Sequence, residues 1–140
     1  MTIRDYLRKY GEAERLVRLL KIEYEKESDL IDAIKSPLGG DGTPHSGGIS
    51  KTVENRAIRL AEKAEQLRQA ELEAVQIRQE IYDAVRSVPG EAGSVLYERY
   101  INLKSWGEVA RDVGYSKRQA HNLERQGLDQ IKHFIELHSE

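Results

Sequence analysis

The sequence predicts an all-α protein, with an N-terminal long-helix hairpin or oligomerisation part followed by a C-terminal helix-turn-helix domain. Three observations lead there. No segment alternates apolar and polar residues as a half-buried strand does, and the 140 residues include only three prolines. Val53, Leu60, Leu67, Ala74, Ile81 and Val88 fall at every seventh residue, the repeat of a helix seam. Residues 105–125, SWGEVARDVGYSKRQAHNLER, read as two short amphipathic helices on either side of a turn at Gly114-Tyr115.

The elements follow in chain order. Thr2 with Asp5 in the first turn is a helix start, and a short helix is expected over about 3–10. Gly11 weakens the pattern, so a second helix is expected over about 12–35. Its stripe is Val17, Leu20, Tyr24, Ile31 and Ile34, widened by Leu16, Leu19 and Leu30. Eight basic and eight acidic residues precede Ser36, a mixed-sign pattern usual for solvated helix flanks. SPLGGDGTPHSGG, with five Gly and two Pro in thirteen residues, breaks the pattern, and a flexible loop is expected over 36–49. No phosphate loop is encoded there, because the closing Lys-Ser/Thr pair is absent and Lys51 falls too late.

Ser50-Lys51-Thr52-Val53-Glu54 opens the longest helix, expected over about 51–87, where Ala57, Ala64, Ala70, Ile77 and Ala84 flank the seven-residue line. Such a seam needs a cover, either the preceding helix in the same chain or another subunit. Residues 1–88 are therefore expected to form a helical oligomerisation region, and 91–138 a DNA-binding domain. Pro89-Gly90 separates the two.

Within 91–138, a supporting helix is expected from Glu91 to Leu103, carrying Val95, Leu96, Tyr97, Tyr100 and Ile101. The next helix holds Trp106, Val109, Ala110 and Val113. Ala110 is small enough for a steep helix crossing, and Gly114 can take the positive φ that the turn needs. Ser116 is a good N-cap for the last helix. Ala120 and Leu123 fall on that helix's inner face. Ser116, Lys117, Arg118, Gln119, His121, Asn122 and Arg125 are left outside, and nearly all can bond to a phosphate or a base edge. No acidic residue lies between Lys117 and Asn122, whereas a solvated face usually mixes signs. A plain helical hairpin is the competing reading. Further on, Gly127 is expected to cost about 1 kcal/mol against Ala and to mark a bend.

Composition narrows the classes. The chain has no cysteine, so disulfides and thiolate metal sites are excluded. No apolar run reaches the roughly 20 residues of a membrane span, and MTIRDYLRKY has no signal-peptide core, so a cytoplasmic protein is expected. The net charge of −2 argues against a general nucleic-acid coat. Residues 94–126, however, hold six Lys/Arg against four acids. That modest surplus implies few phosphate contacts per subunit, so useful affinity asks for a dimer or tetramer on one DNA. The histidines, His45, His121, His133 and His138, form no metal-binding spacing, and no catalytic constellation stands out. A non-enzyme without metal or cofactor is expected.

Tyr97-Glu98-Arg99-Tyr100-Ile101, Ser105-Trp106-Gly107-Glu108-Val109-Ala110 and Gly114-Tyr115-Ser116-Lys117-Arg118-Gln119-Ala120-His121 resemble the C-terminal module of the ArpU/RinA-type regulators of phages and prophages in Gram-positive bacteria. The likeness covers about residues 95–131. Gly47-Gly48-Ile49-Ser50 with Val53-Glu54 and Ala57-Ile58 also looks like the stretch before the long helix in that group, and 1–35 match only in helical character. Gly107 departs from the pattern, which more often has Glu there.

That group's module is similar to the promoter-binding fourth region of sigma factors. The resemblance implies a regulator of phage late genes for packaging and structural proteins, with double-stranded DNA as partner and host RNA polymerase as a candidate second one. Resemblance and geometry together put Lys117 and Arg118 near phosphate or a guanine edge. Gln119, His121 and Asn122 become base readers, Arg125 a phosphate clamp, and Ser116 a phosphate contact through its N–H and hydroxyl. Two other readings remain open. One is a DNA-packaging protein like a small terminase subunit; the other is a helical adaptor that uses the module to bind protein.

Overall fold

The computed structural model describes residues 1–35 and 48–138, and all of its regular structure is helical. Five α-helices follow in order: α1 (Ile3–Lys35), α2 (Gly48–Arg86), α3 (Gly90–Leu96), α4 (Trp106–Val113) and α5 (Lys117–His138). A π-helical turn, Tyr97–Ile101, follows α3 directly. The expected loop over 36–49 lies mostly outside the described residues.

Thr2 caps α1 as its sequence suggests. The Asp5 N–H donates to Thr2 Oγ1 and the Thr2 N–H donates to Asp5 Oδ2, each at 3.1 Å. The break expected at Gly11 is absent, and α1 is one helix of 33 residues. Gly11 faces Leu103, whose Cδ2 would lie 3.4 Å from a Cβ there, so tertiary packing holds the helix through this position. The single helix expected from Glu91 to Leu103 is also revised. It changes to a π-helical turn after Leu96 and ends at Ile101, and Leu103 takes φ 57°.

The chain forms two compact units. The first comprises Met1–Glu14 and Glu73–Glu140, and the second Arg15–Leu72. The division expected between residues 88 and 91 lies inside the first unit. Leu7 and Tyr10 of α1 are buried there with Ile81, Ala84, Val85 and Val88, and with Leu96, Tyr100, Ile101 and Ile131. Hydrophobic burial, the main favourable contribution to folding, thus spans the start of α1, the end of α2, α3, the π-helical turn and α5. α5 turns Ala120, Glu124, Gly127 and Ile131 inward, at spacings of four, three and four.

Gly127 does not interrupt α5. A Cβ there would come within 2.6 Å of Leu96 Cδ1 and 3.6 Å of the Ala92 carbonyl oxygen. Close approach of α5 to α3 explains this glycine, and the expected bend does not.

In the second unit α1 and α2 run antiparallel. Glu23 pairs with Lys63 at 2.8 Å and Glu27 with Arg56 at 3.4 Å, so partners descend α2 as they ascend α1. Val17, Leu20 and Tyr24 are half-buried, as are Val53, Leu60 and Leu67 from the seven-residue line. Leu16, Leu19, Ile22, Leu30, Ile58 and Leu72 are each about half exposed, between 46% and 53%. Among the described residues, no helix is long and apolar enough to cross a membrane.

Candidate nucleic-acid interface

The α4–turn–α5 unit is assembled by local signals. The Ser105 hydroxyl caps α4 by accepting from the Glu108 N–H at 3.3 Å. Gly114 ends α4 at φ 80°, ψ 27°, and the Tyr115 N–H donates to the Ala110 carbonyl at 2.9 Å. That bond, reaching back five residues past a left-handed glycine, closes the helix end and turns the chain sharply. Ala110 and Ala120 are both buried in this unit. Val109 is fully buried, whereas Val113 and Leu123 are half-buried. Tyr115, next in the turn, is half-buried, and its hydroxyl donates to Glu91 at the start of α3.

At the start of α5, Ser116 Oγ accepts from the Gln119 N–H at 3.2 Å, and Gln119 Oε1 accepts from the Ser116 N–H at 3.0 Å. This reciprocal cap satisfies two N–H groups that a helix start leaves unpaired. Gln119, expected as a base reader, therefore has its carbonyl oxygen turned back on the helix start. The Ser116 N–H, expected to meet phosphate, is already donated.

His121 is exposed but not free-standing. Its ring lies on the Trp106 indole, with centroids 4.1 Å apart. The Arg99 guanidinium stands 5.0 Å from the centroid of the same indole and donates to the Lys104 carbonyl at 2.8 Å. Trp106 thus joins the π-helical turn, α4 and α5.

Arg118, Asn122 and Arg125 are exposed on one line of α5, at spacings of four and three. None of Lys117, Arg118 and Arg125 is in an ion pair with the described residues. Lys117 is exposed, and its side chain passes Gly107, where a Cβ would stand in ordinary contact at 3.5 Å from Lys117 Cε. Asp129 continues the outer line one turn beyond Arg125 and ends its positive run.

The nearby acids are engaged within the protein. Asp112 pairs with Lys104 at 2.7 Å, and Glu98 pairs with the same ammonium. Hydrogen bonds to Asp112 and then to Glu98 raise the Lys104 pKa, so this cation stays charged and is spent inside the domain. Glu108 accepts from the Ser105 hydroxyl at 3.1 Å. Glu124, counted as one of four acids near the surface, is 2% exposed and points inward. Its Oε1 accepts from Arg4 at 2.9 Å and its Oε2 from the Tyr100 hydroxyl at 2.5 Å. The exposed face of early α5 is therefore more positive than the residue count suggests.

The chain matches no protein-family model, no curated protein and no solved structure. The arrangement itself can present two arginines, a lysine and an asparagine from two turns of a rigidly capped helix. Arginine offers a fork of donors to phosphate or a guanine edge, and asparagine a donor–acceptor pair to adenine. Sequence reasoning missed Glu124, although its position between Ala120 and Gly127 on the inner line would have exposed it. It also missed Arg4 and Arg99, whose partners are not predictable from spacing. Among the described residues, no group of three or more His, Asp or Glu is placed to hold a metal ion. His45 lies outside the described residues.

Proposed function

We propose that the protein is a sequence-specific double-stranded DNA-binding transcriptional regulator, of the ArpU/RinA type, acting on phage late genes for packaging and structural proteins in the bacterial cytoplasm. The observation that carries this reading is the exposed line Arg118–Asn122–Arg125, whose arginines are in no ion pair with the described residues, on a helix that starts just after a left-handed turn. A helix so placed can enter the major groove with its first turns while the preceding helix crosses the backbone. Lys117 and Arg125 contact phosphate, and Arg118 and Asn122 reach base edges. Gln119 is engaged through its carbonyl oxygen in the cap and His121 through its ring on Trp106, so both are secondary to that line. The role is binding rather than catalysis.

Three cations on early α5, in no ion pair with the described residues, give few phosphate contacts, so the regulator acts as a dimer or tetramer. The half-exposed Leu16, Leu19, Ile22 and Leu30 of α1 and Ile58 of α2 favour association through the second unit. Host RNA polymerase is a second proposed partner, by resemblance alone. Self-association is also what a packaging protein would need. Particle mass in solution separates the two, since a dimer or tetramer supports the regulator and a ring of eight or more subunits the packaging protein.

The direct test replaces Lys117 and Arg118 together with Glu. Binding to a duplex selected from random DNA is lost while helix content stays. Retained binding would show that early α5 does not meet the DNA.

A further inference from the structure

A carboxylate on the inner line of α5 has to be satisfied or it destabilises the domain, because a buried unpaired charge is costly. Glu124 is satisfied from two sides. Arg4, in the first turns of α1, donates to Oε1 at 2.9 Å; Tyr100, in the π-helical turn, donates to Oε2. The Glu124 side chain is 3% exposed and that of Arg4 48%, so the anion is buried and its cation sits at the rim. Tyr100 is buried, and its pKa is raised by burial and then by the Glu124 carboxylate, which keeps the hydroxyl protonated as a donor.

Apolar packing turns the inner line of α5 toward the domain, and directed hydrogen bonds add a narrower orientation to it. Ala120, Gly127 and Ile131 seat α5, but two directed bonds to one carboxylate also fix its roll. Glu124 is one residue from Arg125 and two from Asn122. A change of roll at 124 re-aims both.

We infer that Arg4, Tyr100 and Glu124 are positioning residues that set the roll of α5, so that α1 is part of the sequence-reading machinery although it presents no residue to the DNA. This rests on the DNA-binding reading above. Its consequence concerns specificity more than affinity. Phosphate contacts tolerate a small re-aiming through long flexible side chains, whereas bidentate base contacts do not.

The test is Arg4→Met combined with Glu124→Leu in the full chain. The pair leaves net charge unchanged and leaves no buried charge unpaired; it does take the acceptor from the buried Tyr100 hydroxyl, so helix content is measured alongside. Tyr100→Phe, which removes one anchor and leaves the ion pair, is a milder second variant. Affinity is measured for a selected duplex and for a scrambled one at the same salt concentration. The expected result is a fall of roughly tenfold or more in the ratio of the two affinities, the loss of one good base contact. Scrambled-duplex affinity and its salt slope are expected to stay the same. Tyr100→Phe gives a smaller fall.

An unchanged ratio in both variants would overturn the inference. If the unaltered protein does not distinguish the two duplexes, the DNA-binding reading fails. Trp106 emission in the free protein then decides the anchor by itself. A shift in the double variant supports it, because the His121 ring moves with the roll of α5, and an unaltered spectrum overturns it.

Discussion

The Trp106 indole and the His121 imidazole pack at 4.1 Å between centroids with an interplanar angle of 39°, tying the start of α4 to the exposed flank of α5. Trp106 is the only tryptophan in the chain, so its fluorescence reports on the flank proposed to meet DNA. His121→Ala should expose the indole, shift its emission to longer wavelength and lower stability by about 0.5–1.5 kcal/mol beyond the lost area. Adding a selected duplex to the unaltered protein should change the same emission. An emission spectrum indifferent to both would contradict the stack.

Gly127→Ala poses two effects of opposite sign. Helix propensity favours Ala by about 1 kcal/mol. The new methyl, however, falls 2.6 Å from Leu96 Cδ1 in a fully buried site, and overpacking costs about 1–3 kcal/mol. Leu96 Cγ also falls at 3.1 Å, so the whole side chain and not its tip alone must shift, and a net loss of stability is expected. Urea unfolding checks it, and a more stable variant would mean that α3 and α5 do not approach as described.

Tyrosine titration gives a pH dependence. Burial, followed by the hydrogen bond to Glu80, pushes Tyr6 up from 10.0 to about 12, and burial with the Glu124 bond raises Tyr100 in the same sense. The unfolded chain releases these protons near pH 10 and the folded chain holds them longer. The Tyr6 contribution is therefore complete below pH 10 and lost as pH rises through about 12, while that of Tyr100, raised further, is lost later. The melting temperature should fall over that window together with the rise of tyrosinate absorbance. A melting temperature that stays flat there would contradict the burial of both hydroxyls.

Much of this fold could be read from the sequence because its signals are local. Thr2, Gly114 and Ser116 mark helix ends by their own chemistry, and the seven-residue line from Val53 to Val88 needs only counting. What escaped depends on distant partners. Gly11 looked like a terminator because Leu103, which lies against it, is 92 residues away by numbering. Arg4 meets Glu124 across a separation of 120. The π-helical turn after Leu96 has no sequence signature that periodicity detects. The candidate interface was legible as a set of exposed polar residues on early α5. The sequence did not show which were already engaged: Gln119 in the cap of α5, and His121 on Trp106.

The central claim is that the first turns of α5 meet duplex DNA, and amide chemical-shift mapping tests it most directly. A duplex selected from random DNA is added to the isotope-labelled protein at a stated salt concentration. The expected result is that the strongest perturbations fall on amides 116–125, with weaker ones on α4 and the amides of 15–35 and 48–72 little changed. Tight binding with perturbations centred on those helical segments, and early α5 silent, would contradict it.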